Sequence, residues 1–158
     1  MGSAPDNNQS QTIPLKDAVQ FALDEARMVI PGIQALFGFQ LMAVFTDGFE
    51  TALEPAQRAV HLLALLLVTI ACALVMAPAA YHRQAGQGRV SAGLLKVASR
   101  LIGLGLIPLM LGICLDVYVV AYAVTQQDAF SAGLGALCFA VFAGLWFAFP
   151  RVLRDSHL

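Results

Sequence analysis

Charge is what this sequence has least of. Of its 158 residues only 12% are Asp, Glu, Lys or Arg, about half the usual share of a soluble domain, while 59% are hydrophobic. That balance excludes an ordinary solvated globule. Cysteine is nearly as scarce. Cys72, Cys114 and Cys138 are three in number and all lie in apolar stretches, so neither a disulfide framework nor a zinc site with its close ligand spacing is expected, and they read as small packing residues. No nucleophile triad, metal-ligand spacing, phosphate-cradling glycine loop or dinucleotide fingerprint is present, so no enzyme, metal or cofactor is expected. Haem is excluded on geometry, because His61 and His82 fall at opposite ends of one segment, about 31 Å apart along a helix. A DNA or RNA partner has no support. Met1 to Gln11 is polar and lacks the basic-then-apolar order of a secretory signal, so the first apolar segment is expected to stay in the mature protein.

What is present is four long apolar segments, at approximately Met28 to Phe45, Val60 to Ala80, Leu101 to Tyr122 and Phe130 to Phe149. Each approaches the roughly 20 helical residues that cross a hydrocarbon core of about 30 Å. Before the first, Leu15, Val19, Leu23 and Ala26 alternate with Lys16, Asp17, Gln20 and Asp24 at helical spacing. The pattern predicts an interfacial amphipathic helix over residues 13–27, with Pro14 in its first turn and Pro31-Gly32 marking a bend into the bilayer. Ser91 to Arg100 gives the third span a similar lead-in, and Pro108 interrupts that span's hydrogen-bond ladder. The fold class is therefore an all-α membrane protein. A polar tail over 1–12 and the amphipathic helix lead into four antiparallel transmembrane helices over 28–150, with a short tail over 151–158.

Orientation follows from the basic residues. Lys16 and Arg27 precede the first span, Arg83, Arg89, Lys96 and Arg100 fill the second loop, and Arg151 and Arg154 follow the last span; only Arg58 falls on the other side. The positive-inside rule places both termini in the cytoplasm of a bacterial inner membrane. The basic loop would attract anionic lipid headgroups at about 1 kcal/mol per residue. The opposite side carries Asp47, Glu50, Glu54 and Asp128, which are either solvated loop charge or an acidic outer mouth.

Inside the apolar segments there is a single acid, Asp116. A charge in hydrocarbon costs at least a few kcal/mol, which makes such a residue a functional-site hypothesis that needs a named partner. On this topology Asp116 lies about 9 Å below the outer end of its span at Tyr122. Gln40 near the outer end of the first span and His61 at the start of the second share that half of the membrane. Two readings stay open: a proton or cation path through Asp116, or a neutral carboxyl that fixes helix packing, with His61 an interfacial imidazole. Tyr118 and Tyr122 read as interfacial aromatics.

A second polar group gathers at the cytoplasmic face: Glu25, Arg27 and Gln34 beside Tyr81, His82 and Arg83. The patterns Glu25-Ala26-Arg27, Pro31-Gly32-Ile33-Gln34-Ala35-Leu36-Phe37-Gly38-Phe39 and Pro78-Ala79-Ala80-Tyr81-His82-Arg83 resemble those of a family of small bacterial membrane proteins of unknown function, over roughly Ala22 to Arg83. The resemblance brings no activity with it, but implies that this cluster belongs to a shared design. It is either a helix-capping arrangement or a lipid or ligand site.

In the fourth segment Ala132, Ala136, Ala140, Gly144 and Ala148 recur at every fourth position. Such a stripe lets backbones approach closely, against a helix of the same chain or of a second protomer. The leading functional expectation is an oligomeric proton or cation channel or carrier using Asp116. The alternative is a structural or accessory subunit binding lipid or a larger membrane complex.

Overall fold

The computed structural model describes residues 15–84 and 92–151, and the expected tails, the residues around Arg89 and Arg154 lie outside them. The elements are α1 (Leu15–Val44), α2 (Asp47–Ala52), α3 (Pro55–Gln84), α4 (Ala92–Thr125) and α5 (Asp128–Ala143), the last running on into a π-helical turn at Gly144–Ala148. No strand occurs among the described residues. Four helices are long and apolar enough to cross a membrane, over Arg27–Val44, Pro55–Tyr81, Lys96–Thr125 and Asp128–Arg151. Their outward faces carry Phe39, Leu62, Leu66, Leu104, Val120 and Leu137 in the open, far more apolar surface than a soluble monomer tolerates.

The spans are longer than their hydropathy alone suggests. α1 is one helix with Pro31 inside it, so the expected amphipathic lead-in and the first span are continuous. α3 begins at Pro55, five residues before the apolar stretch. Proline suits a first helical turn, whose N–H has no partner in any case. The polar residues that follow are held: Arg58 donates from Nη2 to the Glu50 carbonyl (2.6 Å) and from Nε to the Leu53 carbonyl (3.0 Å). The solitary cation of this end thus caps the short helix α2, whose last carbonyls lack partners of their own.

α3 and α4 form the most extensive helix pair, with α1 packed mainly on α3 and α5 on α4. The buried positions of α3 are Gln57, His61, Ala64, Val68, Ala71, Val75 and Pro78, spaced alternately by four and three. α4 answers with Ala98, Ile102, Gly105, Leu109, Gly112, partly buried Asp116 and Val119, at the same spacing. A mean period of 3.5 residues is the signature of helices wound into a left-handed seam. Two glycines set the distance between them. A Cβ on Gly105 would stand 3.0 Å from Val75 Cγ2, and one on Gly112 would stand 2.8 Å from Val68 Cγ2 and 3.2 Å from the Ala64 carbonyl.

α5 meets α4 through Ser131 and Gly135, both buried, the latter against the Cys114 carbonyl and Tyr118. The stripe of Ala132, Ala136 and Ala140 is exposed, as is Ala148, and Gly144 is half-buried, so the face that packs within this chain is its neighbour. Phe142 and Trp146 make an edge-on pair at 4.7 Å and Trp146 packs on the central core, while Phe139 and Phe149 point outward.

Turn chemistry closes the end that carries α2. Gln126, with φ of 56°, sits in the left-handed region directly after α4, and its Nε2 donates to the Ala52 carbonyl at 2.9 Å. One side chain thereby ties the α4–α5 turn to α2. Because Gly112 touches a stiff, fully buried valine and a backbone oxygen, Gly112→Ala is expected to lower stability by about 1–3 kcal/mol. Gly103→Ala, where a Cβ meets nothing within 4 Å, is expected to be neutral or stabilising. Thermal unfolding of both variants in one detergent checks the contrast.

Candidate functional site

The α3–α4 seam turns polar as it approaches α2. One helical turn beyond Ala64 stands His61, and one turn beyond Gly112 stands Asp116; α1 completes the group with Gln40. Gln40 Nε2 donates to Asp116 Oδ2 at 2.6 Å. His61 Nδ1 lies 3.8 Å from Asp116 Oδ1, an ion-pair distance rather than a hydrogen bond. The other ring nitrogen, Nε2, is 3.0 Å from the Gln40 main-chain oxygen. A carbonyl oxygen only accepts, so Nε2 carries a proton, and Nδ1 is left to face the carboxyl.

That tautomer constrains the pair. A neutral imidazole would set its Nδ1 lone pair against an ionised carboxylate, two acceptors in a desolvated place. One further proton, on Asp116 or on His61 Nδ1, removes the conflict and leaves the pair neutral overall in either position. Gln40 and His61 are 3% and 4% exposed, so water offers little relief. Phe49 of α2 covers the imidazole edge-on at 5.2 Å.

These groups line a cavity of about 390 Å³ beneath α2, whose remaining wall is almost wholly apolar, with Leu36, Phe39, Ala43 and Val119 among its side chains. Gln40 Oε1 is buried and has no hydrogen-bond partner. Thr46, also in the lining, gives its hydroxyl to the Ala43 carbonyl at 2.7 Å.

A second network stands beside the first. Tyr118 OH donates to Asp128 Oδ1 at 2.6 Å, and Gln57 Nε2 donates to Tyr118 OH at 3.1 Å and to Asp128 Oδ1 at 3.4 Å. It joins α3, α4 and the first turn of α5. Gln57 escaped the sequence reading because it precedes the apolar stretch. Its place in the alternating series Gln57, His61, Ala64, Val68 was the available signal.

Several expectations change here. His61 is buried within the bundle rather than exposed at the end of its helix, because α3 starts six residues before it. Tyr118 is held by Asp128, and Tyr122, 6% exposed, packs with Leu53 and Val119 beneath α2, so both are engaged within the bundle. At the opposite end the described members of the sequence cluster, Arg27, Gln34 and Tyr81, are not joined to one another. Arg27 pairs with Asp24 of its own helix at 3.3 Å, while Gln34 and Tyr81 are exposed, and no hydrogen bond among the described residues joins Arg27, Gln34 and Tyr81. The side chains of Glu25, His82 and Arg83 lie outside the described residues. No metal-binding group of His, Cys, Asp and Glu occurs among the described residues.

A family of unknown function, DUF6328, matches over residues 16–150. No curated protein and no solved structure matches the chain.

An unpaired buried carboxyl costs more than the loss of a whole pair. Gln40→Leu alone is therefore expected to destabilise by about 1 kcal/mol, the scale of a helix–helix hydrogen bond in a membrane, and Gln40→Leu with Asp116→Leu to recover most of it. Unfolding midpoints of the single and double variants measure this; a double variant weaker than the sum of its parts would contradict the pairing.

Proposed function

The chain belongs to the DUF6328 family, and on the geometry of its one intramembrane acid we propose that it is a multi-pass membrane carrier that takes up and gives up a proton at the Asp116–His61 pair. The observation that carries this reading is the position of that pair: an acid and an imidazole 3.8 Å apart among apolar helices, both lining a cavity under α2. Such residues in membrane spans characteristically mark proton and ion pathways.

A carrier fits better than an open channel. Beyond Gly112 the seam is closed by Val68, Ala71 and Val75, each with no exposed surface, so the cavity has no continuation toward the other end. Transport by a chain of this kind requires alternating access, in which the pair faces the two sides in turn. We place the α2 end outward and the termini in the cytoplasm of a bacterial inner membrane, with the basic side against anionic lipid, on the strength of the lysine and arginine distribution. The exposed acids Asp47, Glu50 and Glu54 then form a rim that concentrates cations at the cavity mouth.

One observation favours a second reading. The exposed stripe of Ala132, Ala136, Ala140, Gly144 and Ala148 is a surface suited to close helix contact, and a second copy or a larger membrane complex would use it under either an oligomeric carrier or an accessory subunit.

Purified protein in liposomes with an internal pH-sensitive dye is expected to dissipate an imposed proton, sodium or potassium gradient, and Asp116→Asn to slow this by at least tenfold. Wild-type flux in Asp116→Asn removes the pair from the mechanism, and no flux under any of these gradients overturns the carrier reading.

A further inference from the structure

Asp116 stands where two hollows meet. The cavity beneath α2 is one; the other is a groove of about 530 Å³ between α1, α4 and α5, walled by Ile113, Val117, Val124 and Leu134 among others. Leu36, Asp116 and Val120 line both. The groove exists because α1 and α5 each pack on α4 without packing extensively on one another. Val120 and Val124, 63% and 80% exposed, are at its mouth, on the surface that faces hydrocarbon when these helices span a bilayer. A molecule dissolved in the bilayer therefore reaches Asp116 sideways without crossing an aqueous vestibule.

The chemistry of the lining selects the molecule. Both walls are apolar, and 390 Å³ falls within the range of small-molecule sites, roughly 300–1,000 Å³. The polar atoms left over are mostly acceptors: the Asp116 carboxylate, Gln40 Oε1, which is buried without a partner, and His61 Nδ1 once its proton has left. Thr46 Oγ1 is spent on Ala43 and His61 Nε2 on the Gln40 carbonyl, so the second N–H of Gln40 Nε2 is the donor left beside these acceptors. An apolar cavity with a carboxylate and an orphaned amide oxygen suits an apolar body bearing a cationic N–H.

We propose that this pocket binds a lipophilic organic amine in its protonated form, and that binding expels the proton shared by Asp116 and His61. The proposal rests on the proton-exchanging reading of that pair. The exchange balances: a protonated amine and the neutral acid–imidazole pair give an ammonium–carboxylate ion pair beside neutral His61, with one proton released. His61 is the titratable group facing Asp116 among the described residues. α1 presents Gln40, α2 presents Phe49 and Gly48, and α5 presents Phe130 and Leu134. The acids Asp47, Glu50 and Glu54 remain at the exposed rim.

The probe is N,N-dimethyl-naphthylmethylamine, and its control is isobutylnaphthalene, in which a C–H replaces the ammonium N–H in the same shape. Binding to the full chain in lipid nanodiscs is read by naphthalene fluorescence against empty discs, with proton release followed in weak buffer. The amine is expected to bind about tenfold tighter per pH unit on raising the pH while the pair holds its proton, to release one proton per molecule bound, and to bind at least tenfold more weakly to Asp116→Asn. Isobutylnaphthalene is expected to show neither the pH dependence nor the Asp116 dependence. Ala43→Phe, which fills the cavity and leaves both titrating groups in place, is expected to abolish amine binding, and it carries the test if Asp116→Asn does not fold. Amine affinity that is unchanged by pH, or unchanged in Ala43→Phe, overturns the proposal. Amine binding with proton release but no transport leaves this site standing and removes the carrier reading; proton flux without amine binding does the reverse.

Discussion

The close approach of α3 and α4 is the contact on which the other features depend. Gly105 and Gly112 leave room for Val75 and Val68, and the two helices meet at van der Waals distance along a seam of small residues. In lipid there is little hydrophobic gain in joining apolar helices, so such packing and a few hydrogen bonds supply the attraction. The seam also fixes azimuth. Once Val68 faces Gly112, the 3.5-residue period brings His61 and Gln57 of α3, and Asp116 of α4, to the same inner line.

The polar groups at one end are thus continuous with the packing at the other. Replacing small apolar pairs by His61 and Asp116 opens a cavity instead of a closed contact, and α1 contributes Gln40 to hold the acid. α2, anchored by Arg58 beneath it and by Gln126 from the α4–α5 turn, lays Phe49 over the imidazole. A buried carboxyl in this setting is costly unless its proton and its partners are supplied, and each neighbour described above supplies one of them. The Gln57–Tyr118–Asp128 network does the corresponding service for the head of α5.

Much of this was legible residue by residue. Four spans, the isolation of Asp116 and the nearness of Gln40 follow from hydropathy and helical rise. The family resemblance carried by Pro31-Gly32 and Tyr81-His82-Arg83 agrees with the match over residues 16–150. At the other face Arg27 pairs with Asp24, one of the acids beside it in sequence, whereas shared position at one face says nothing about which way Gln34 and Tyr81 turn, and both are exposed. Of the two uses the alanine stripe allowed, contact within the chain went instead to Ser131 and Gly135, one position away, and the stripe itself is left on the outer surface.

By itself the sequence determined that four segments are long and apolar enough to cross a membrane, roughly where they lie, and that one acid falls within them. These are properties of local composition, summed along a helix, and they need no partner. Only the tertiary structure decided that α3 begins early enough to bury His61, that Gln57 joins Tyr118 and Asp128, that α2 roofs a cavity, and that α1 and α5 leave a groove open beside Asp116. Those outcomes depend on the rotation of each helix about its axis and on which neighbour it meets, and for α3 and α4 two glycines settle both through contacts 30 and 44 residues distant in sequence, Gly105 with Val75 and Gly112 with Val68.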